Sequence, residues 1–226
     1  MTIPVIAVDG PSGSGKGTVS RILAERLGWS LLDSGALYRL TALAGAARGL
    51  DPGDEPGHAA LAAGLDARFE ADAAGAERVL LDGRDVTREL RAEATGNMAS
   101  IVAAMPSVRA ALLERQRAYA TPPGLVADGR DMGTVVFPTA GLKVFLTASA
   151  EERARRRYNQ LKEKGLAANL AGLSQEILER DRRDSARSVA PLKPAADAVV
   201  IDSTGMAIDD VVGRILSLAR GIFPAT

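Results

Sequence analysis

Residues 3–28 have the sequence IPVIAVDGPSGSGKGTVSRILAERLG, and this stretch decides the fold. Its first part, 3–8, is short, apolar and rich in β-branched residues, which predicts a buried strand that ends at Asp9-Gly10. A loop rich in glycine and serine follows. Apolar residues at helical spacing then predict a helix over about 15–27, and Gly28 stands where helices commonly end. The stretch therefore predicts a strand, a glycine loop and a helix in direct succession.

The glycine loop has the pattern G-x-x-x-x-G-K. Between a buried strand and an amphipathic helix this pattern predicts a phosphate site, because backbone N–H groups and the helix N-terminus favour an anion. Lys16 would add a positive charge at the β- and γ-phosphates. We therefore predict that the loop binds ATP. The ATP-binding residues are Gly10, Pro11, Ser12, Gly13, Ser14, Gly15, Lys16, Gly17 and Thr18.

Position 17 departs from the common form of this motif. Gly17 stands where Ser or Thr usually holds Mg²⁺, and Thr18 follows one residue later. The ending G-K-G-T resembles nucleoside monophosphate kinases more than GTPases or motor ATPases. We expect no protein-built metal cluster, and we expect Mg²⁺ to bind mainly through ATP phosphates while keeping several waters.

Strand-like runs alternate with helical patterns along most of the remaining chain. Short apolar runs at 30–32, 125–127, 142–146 and 198–201 are each followed by turn residues and then by a helical pattern. This alternation predicts an α/β fold with a central parallel sheet covered by helices on both faces, which is a three-layer P-loop fold.

Two segments interrupt the alternation. From 51 to 91, a cluster of Pro and Gly precedes two candidate strands, 67–70 and 78–81, which predict a small hairpin around 73–75. The second segment, from about 153 to 172, is highly charged. We predict a single domain over 1–226 with a core of 1–34, 92–150 and 173–226, and with insertions at 35–91 and 151–172.

Composition narrows the classes of function. Lys+Arg and Asp+Glu both number 28, and a net charge of +0 argues against broad nucleic-acid or membrane-surface binding. The absence of cysteine excludes disulfides, thiolate zinc sites and cysteine nucleophiles. No run of residues is typical of a signal peptide or a membrane span. We expect a cytoplasmic protein whose partners are small molecules, not nucleic acid or membrane.

Polar clusters follow several of the predicted strands, where ligands bind to parallel sheets. They are DSGALYR at 33–39, DGRDMGT at 128–134 and ERDRRDSAR at 179–187. On a helix, Arg180, Asp184 and Arg187 would share one face, because they are four and three residues apart. We expect these clusters to build an acceptor site.

A family resemblance rests on these strings. LLDSGALYR at 31–39, GLVADGRDMGTVVFP at 124–138, ERDRRDSARSVAPL at 179–192 and DSTG at 202–205, together with the glycine loop, resemble bacterial cytidylate kinases over nearly the whole chain. The resemblance implies a monomeric nucleoside monophosphate kinase that transfers the γ-phosphoryl group of ATP to CMP or dCMP. It also implies that 35–91 is a monophosphate-binding insertion and that 151–172 is a lid.

The resemblance assigns roles to individual residues. Three arginines would hold the acceptor phosphate, namely Arg39, Arg130 and Arg187. Ser100, Arg109 and Asp131 would contact the cytosine edge, and Arg180 and Asp184 would hold the ribose hydroxyls, with Tyr38 beside the sugar and Ser34 in the same substrate set. The lid arginines Arg153, Arg156 and Arg157 would close over ATP. The catalytic set is Lys16, Arg130, Arg187, Arg153 and Arg157.

The chemistry of the base predicts selectivity. Asp131 can accept a hydrogen bond from the cytosine N4 amino group, whereas uracil places a carbonyl oxygen at that edge. A mismatched buried polar contact costs about 1–3 kcal/mol, so CMP should be preferred over UMP.

Alternatives stay open at this point. The chain could phosphorylate another small acceptor, such as UMP, AMP, shikimate or dephospho-coenzyme A, or it could be a non-catalytic ATP-binding module. Likewise, Arg180 and Asp184 could form only a surface ion pair, and 153–157 could be only a solvated helix face. A panel of acceptors with ATP and Mg²⁺ would separate these possibilities.

Overall fold

The computed structural model describes residues 3–71, 77–163, 167 and 169–223. The strands of this part of the chain are β1 (Val5–Asp9), β2 (Ser30–Asp33), β3 (Ala67–Ala71), β4 (Glu77–Leu81), β5 (Arg84–Asp85), β6 (Leu125–Gly129), β7 (Leu142–Thr147) and β8 (Val199–Asp202). The helices are α1 (Lys16–Leu27), α2 (Ser34–Ala47), α3 (Glu55–Ala63), α4 (Thr87–Leu90), α5 (Glu93–Val102), α6 (Pro106–Arg117), α7 (Ala150–Glu163), α8 (Leu170–Ser185) and α9 (Ile208–Ile222). A π-helical turn spans Met132–Val136.

The chain divides into two compact units. The sheet unit comprises 1–33 and 117–226, and the middle unit comprises 34–116. The predicted core and the predicted insertions at 35–91 and 151–172 have different boundaries from these units and stay predictions.

The sheet unit is built on a parallel five-stranded sheet with the order β2-β6-β1-β7-β8. Every residue of the central strand β1 is buried, so both faces of the sheet are covered at this strand. This arrangement confirms the predicted α/β fold with a central parallel sheet.

The register of the sheet positions the loops that follow its strands. Asp9, the last residue of β1, pairs with Gly129, the last residue of β6. The glycine loop after β1 and the loop after β6 therefore leave the sheet side by side.

The first strand begins at Val5, two residues later than predicted, and runs one residue further, to Asp9.

A hydrophobic core holds α1 and α9 against the sheet. Ile6 and Val8 of β1 share this core with Leu23 of α1 and with Val212 and Ile215 of α9, all of which are buried. Full burial of one such side chain contributes roughly 1.5–3 kcal/mol, so these contacts fix where α1 begins relative to β1. Gly28 ends α1, as predicted, and it has the left-handed conformation that glycine favours at helix ends.

The middle unit contains an antiparallel sheet with the order β3-β4-β5. Strands β3 and β4 form the predicted hairpin, and each is one residue longer than predicted. The predicted turn around 73–75 lies outside the described residues. The two-residue strand β5 was not predicted, because two residues are too short to show alternation.

Among the described residues, none of the helices is both long and apolar enough to cross a membrane by itself. The pair α5 and α6 meets the criterion only jointly, with a bend of 103° between them.

Candidate functional site

The glycine loop is shaped by steric necessity. Gly10 has φ 153°, and a Cβ atom there would lie 2.0 Å from the backbone oxygen of Leu146. Gly15 caps α1 at φ 91° without any side-chain capping bond. The N–H groups of the first turn of α1 therefore lack a side-chain acceptor at the cap, and a bound phosphate can fill that role.

Lys16 is buried at the start of α1. Its Nζ donates to the backbone oxygen of Pro11, 3.1 Å away, within the loop itself. Burial holds the pKa of Lys16 below its ordinary value, repulsion from Arg130 lowers it further, and Asp128 opposes the shift. An anion bound in the loop would favour the charged ammonium, so phosphate binding and protonation of Lys16 support one another.

Asp128 lies at the end of β6 and faces the same loop. Burial raises the pKa of its carboxyl, while the nearby Lys16 lowers it. A Cβ atom on Gly17 would lie 3.2 Å from Asp128 Oδ2, so glycine at position 17 leaves room for this carboxylate. The second glycine of the G-K-G-T ending thus lies against Asp128, a contact that the sequence did not reveal.

The residues beside the glycine loop suit a Mg²⁺ ion that takes most of its ligands from elsewhere. Within the described residues there is no group of three or more His, Cys, Asp or Glu side chains that could hold a metal ion. Asp128 Oδ1 is buried and has no hydrogen-bond partner in the described part of the chain. One free carboxylate oxygen beside the phosphate loop fits a cation that is held mainly by phosphates and water.

Asp9 connects the glycine loop to the loop after β6. Its Oδ1 accepts from the backbone N–H of Met132 and its Oδ2 from that of Gly133, each at 2.8 Å. Burial raises the pKa of Asp9 to about 6, and the two amide hydrogen bonds partly offset this effect. No motif in the sequence assigns a role to Asp9, although a carboxylate that ends an apolar strand directly before a glycine loop is visible there.

Asp184 holds two of the predicted phosphate-binding arginines. Arg130 Nε donates to Asp184 Oδ2 at 3.1 Å, and Arg187 Nη2 donates to Oδ1. The Asp184 side chain is 1% exposed, and those of Arg187 and Arg130 are 4% and 17% exposed. Two guanidinium groups around one carboxylate leave a net positive charge, which suits an incoming phosphate.

The structure thus brings Arg130, Asp184 and Arg187 together, and Asp184 is too buried to belong to a surface ion pair. Arg180 lies near enough to Lys16 to lower its pKa. Asp131 precedes the π-helical turn and lies near Asp9, whose pKa it raises.

Two of the predicted lid arginines contact the glycine loop. Arg153 forms a bidentate ion pair with Asp181 at 3.1 and 2.6 Å and donates to the backbone oxygen of Ser12 at 3.1 Å. Arg156 donates to the backbone oxygen of Ser14 at 3.2 Å and to that of Ser203 at 2.5 Å. These contacts distinguish Arg153 and Arg156 from residues of a solvated helix face. Arg157 lies on the same helix, α7.

The DSTG segment at 202–205 contacts the glycine loop through Ser203. The buried Ser203 hydroxyl lies 3.2 Å from the backbone oxygen of Ser14 and 3.0 Å from that of Thr147, so its one proton can be donated to either carbonyl. Sequence reasoning gave Ser203 no role, since nothing in a serine after a strand indicates a contact 189 residues away.

The middle unit carries the other predicted substrate residues. Tyr38 and Arg39 lie on α2, which begins at Ser34, and Ser100 lies on α5. The guanidinium of Arg109, on α6, lies 5.6 Å from the ring centroid of Tyr38, and its Nη1 donates to the backbone oxygen of Ala103 at 3.0 Å. Tyr38 and Arg109 are therefore in contact.

Arg39 is held by backbone oxygens of the same unit. Its Nη1 donates to Leu90 at 3.0 Å and to Ala92 at 3.3 Å. A Cβ atom on Gly96 would lie 2.9 Å from Arg39 Nη2, so a glycine at this position leaves room for the guanidinium.

Comparison with known proteins identifies relatives of the whole chain. The family model described as "Cytidylate kinase" matches residues 6–221. A protein named "Cytidylate kinase" from Methylococcus capsulatus (strain Bath) is 59% identical over 219 residues, covering 97% of this chain and 98% of the relative. Another of the same name, from Pseudomonas savastanoi pv. phaseolicola, is 62% identical over 222 residues and covers 97% of each chain.

A solved structure is similar in fold. It is an uncharacterized protein from Eubacterium ventriosum, with a TM-score of 0.54 and 10% sequence identity, covering 96% of this chain and 98% of that one. At this identity the likeness concerns the fold alone.

Proposed function

This chain belongs to the cytidylate kinase family, and on that premise we propose that it transfers the γ-phosphoryl group of ATP to CMP or dCMP, giving ADP and CDP or dCDP. The observation that carries the proposal is the pairing of Asp9 with Gly129 at the ends of β1 and β6. It starts the glycine loop and the Arg130 loop side by side, so a donor phosphate and an acceptor phosphate can approach each other.

The reaction needs positioning more than acid–base chemistry. An oxygen of the acceptor phosphate attacks the γ-phosphorus in line, and the bond from that phosphorus to the β–γ bridging oxygen breaks as ADP leaves. The nucleophile is already an anion, so no general base is required. Holding the two groups in line can supply up to roughly 7–11 kcal/mol of the barrier reduction.

The donor site is proposed to be the glycine loop. Its backbone N–H groups and the start of α1 would bind the β- and γ-phosphates, and Lys16 would neutralise charge that develops on the transferring group. Arg153 and Arg156 already hold the carbonyl oxygens of Ser12 and Ser14. We propose that Arg153 and Arg157 join the ATP site when the predicted lid, 151–172, closes.

Mg²⁺ is proposed to accompany ATP. When bound, it neutralises phosphate charge and orients the β- and γ-phosphoryl groups. Asp128, through its unpartnered oxygen, would accept a hydrogen bond from a water of the ion. Thr18 follows Gly17 on the first turn of α1 and is the hydroxyl residue nearest in sequence to the position that usually holds Mg²⁺.

The acceptor phosphate is proposed to bind the arginines. Arg130 and Arg187 share Asp184, which fixes their guanidinium groups before the substrate arrives. Arg39 is the third phosphate ligand in this proposal. A pair of arginines that is already ordered loses less conformational freedom when it binds phosphate.

The base and the sugar are assigned by the same proposal. Asp131 would accept from the cytosine N4 amino group, and Ser100 and Arg109 would contact the same edge. Tyr38, which Arg109 touches, would lie beside the sugar, and Arg180 with Asp184 would hold the ribose hydroxyls. Ser34 belongs to this substrate set as well. We also propose that the enzyme acts as a monomer in the cytoplasm and binds neither nucleic acid nor membrane.

The test is a coupled assay of ADP release with ATP and Mg²⁺ against a panel of acceptors, namely CMP, dCMP, UMP, AMP and shikimate. The proposal predicts rapid turnover with CMP and dCMP and weaker turnover with UMP. Turnover that is fastest with another acceptor, or slow ATP hydrolysis that CMP does not change, would contradict it.

A further inference from the structure

We propose that Asp9 is a positioning residue. It binds the backbone amides of Met132 and Gly133 and thereby holds the preceding residues, Arg130 and Asp131, in place for the acceptor nucleotide. This inference rests on the proposed function. Asp9 touches neither substrate in the proposal, so its effect on the reaction would pass through the loop that it binds.

The carboxylate of Asp9 binds the segment directly after Asp131. Its two oxygens accept from consecutive amides, those of Met132 and Gly133, both at 2.8 Å. These amides begin the π-helical turn, and the first residues of that turn donate no capping hydrogen bond to the side chain of Asp131. Asp9, 123 residues away in sequence, therefore takes the place of a local capping residue.

The loop is held at both of its ends. On one side, Gly129 is the last residue of β6 and pairs with Asp9 in the sheet. On the other side, the Asp9 carboxylate binds the amides of Met132 and Gly133. Arg130 and Asp131 are the only residues between these two anchors, so their side-chain directions depend on both anchors.

The space around Gly133 is narrow. A Cβ atom on Gly133 would lie 3.4 Å from Asp9 Oδ2 and 3.1 Å from Lys143 Cδ. Gly133 thus lies close to both the Asp9 carboxylate and the Lys143 side chain. The Arg130 guanidinium, in turn, reaches Asp184, so a shift of this loop would also move the arginine cluster, which consists of Arg130, Arg187 and the Asp184 carboxylate between them.

The arrangement requires a carboxylate and not merely a polar residue. Ionised Asp offers two acceptor oxygens to the two amides, whereas Asn offers one oxygen and turns its amino group towards the second N–H. The Asp9→Asn variant keeps the size of the side chain and removes one half of the contact. It should loosen the side of the loop that carries Asp131.

The experiment measures kcat and KM for CMP, UMP and ATP in the wild type and in Asp9→Asn, together with Tm. We expect the ratio of kcat/KM for CMP to that for UMP to fall about tenfold, with a raised KM for CMP and a KM for ATP within about twofold of the wild type. Titration calorimetry with CMP alone should show the same loss of affinity.

Two further variants separate positioning from stability. Lys143→Met removes the contacts of Nζ with Pro138 and Asp197 but keeps an unbranched apolar side chain beside Gly133, with sulfur in place of Cδ, so it should lower Tm without changing the CMP-to-UMP ratio. Gly133→Ala disturbs the hydrogen bond between the Gly133 amide and Asp9 by changing the residue that donates it. It should lower the ratio of kcat/KM for CMP to that for UMP. It serves in place of Asp9→Asn if that variant does not fold.

The outcomes are distinct. An unchanged ratio and an unchanged KM for CMP in Asp9→Asn, with only Tm lowered, would overturn the inference and leave the proposed function intact. An equal loss of selectivity in Lys143→Met would overturn it as well. A wild type that does not phosphorylate CMP would overturn the proposed function and this inference with it.

Discussion

Replacing Asp184 by Asn should destabilise the protein far more than removing an exposed ion pair. The substitution keeps the shape of the side chain but leaves Arg130 and Arg187 beside a neutral amide. Removing one member of a buried ion pair costs about 3–5 kcal/mol, and the partial exposure of Arg130, 17%, places the expected loss near the lower end. A domain of this size loses roughly 2–4 °C of Tm per kcal/mol, so Tm should fall by roughly 6–12 °C.

The assay is urea unfolding and calorimetry of Asp184→Asn next to a matched control. Glu25→Gln removes the carboxylate of the Arg21–Glu25 pair, whose side chains are 57% and 60% exposed, and it should cost no more than about 0.5 kcal/mol. CMP or sulfate should restore part of the Tm of Asp184→Asn, since an anion replaces the lost charge between the arginines. If Asp184→Asn loses no more stability than Glu25→Gln, the arginine cluster is not held as described.

Three further predictions concern single residues. Lys16→Ala should lower kcat at least roughly 100-fold without changing the circular dichroism spectrum, and near-normal turnover would remove Lys16 from the mechanism. Asp131→Ala should reduce the preference for CMP over UMP, which the proposed contact sets at roughly 5- to 150-fold, and an unchanged ratio of kcat/KM values would refute its role in base recognition. The pKa of Asp9 is raised from 3.8 to about 6 by burial, with Asp131 adding to the shift and the amides of Gly133 and Met132 and the nearby Arg130 opposing it. Between about pH 4 and pH 6 the folded protein therefore binds more protons at this site than the unfolded chain, and this site's contribution to stability falls by up to roughly 3 kcal/mol as pH rises. Urea unfolding from pH 4 to pH 7 should show this fall relative to Asp9→Asn, and a constant difference between the two proteins would contradict it.

Much of the fold could be predicted because its signals are local. The apolar run before the glycine loop, the helical spacing from Val19 to Leu27 and the alternation of strands with helices each lie within a short stretch of sequence. The sheet confirms them with small shifts of boundary. One shift has a clear cause: Pro4 has no backbone N–H to donate, and β1 begins at the next residue.

The parts of the site that escaped prediction depend on contacts between distant segments. Asp9 binds amides more than 120 residues away, and Ser203 contacts the carbonyl of Ser14 across 189 residues. Arg153 was identified as a charged lid residue, but its ion pair with Asp181 depends on how α7 packs against α8. No periodicity or motif in one sequence encodes such pairings, because they arise only when the sheet brings the segments together.

The roles of Asp184 illustrate the same limit. Spacing placed it on one helix face with Arg180 and Arg187, which the structure retains in α8 and the residues after it. Its bond to Arg130 could not be predicted, since that arginine follows a different strand, 54 residues earlier. The sequence thus identified Arg130, Asp184 and Arg187 as site residues but not the bonds by which Asp184 joins the two arginines.

A crystal structure with ADP and CMP bound together tests the central claim most directly, namely that two neighbouring anion sites serve one transfer. We predict that the β-phosphate of ADP lies against the backbone amides of the glycine loop, and that the CMP phosphate contacts Arg130 and Arg187 and faces it. A CMP phosphate bound away from both arginines, or pointing away from the ADP β-phosphate, would contradict the claim.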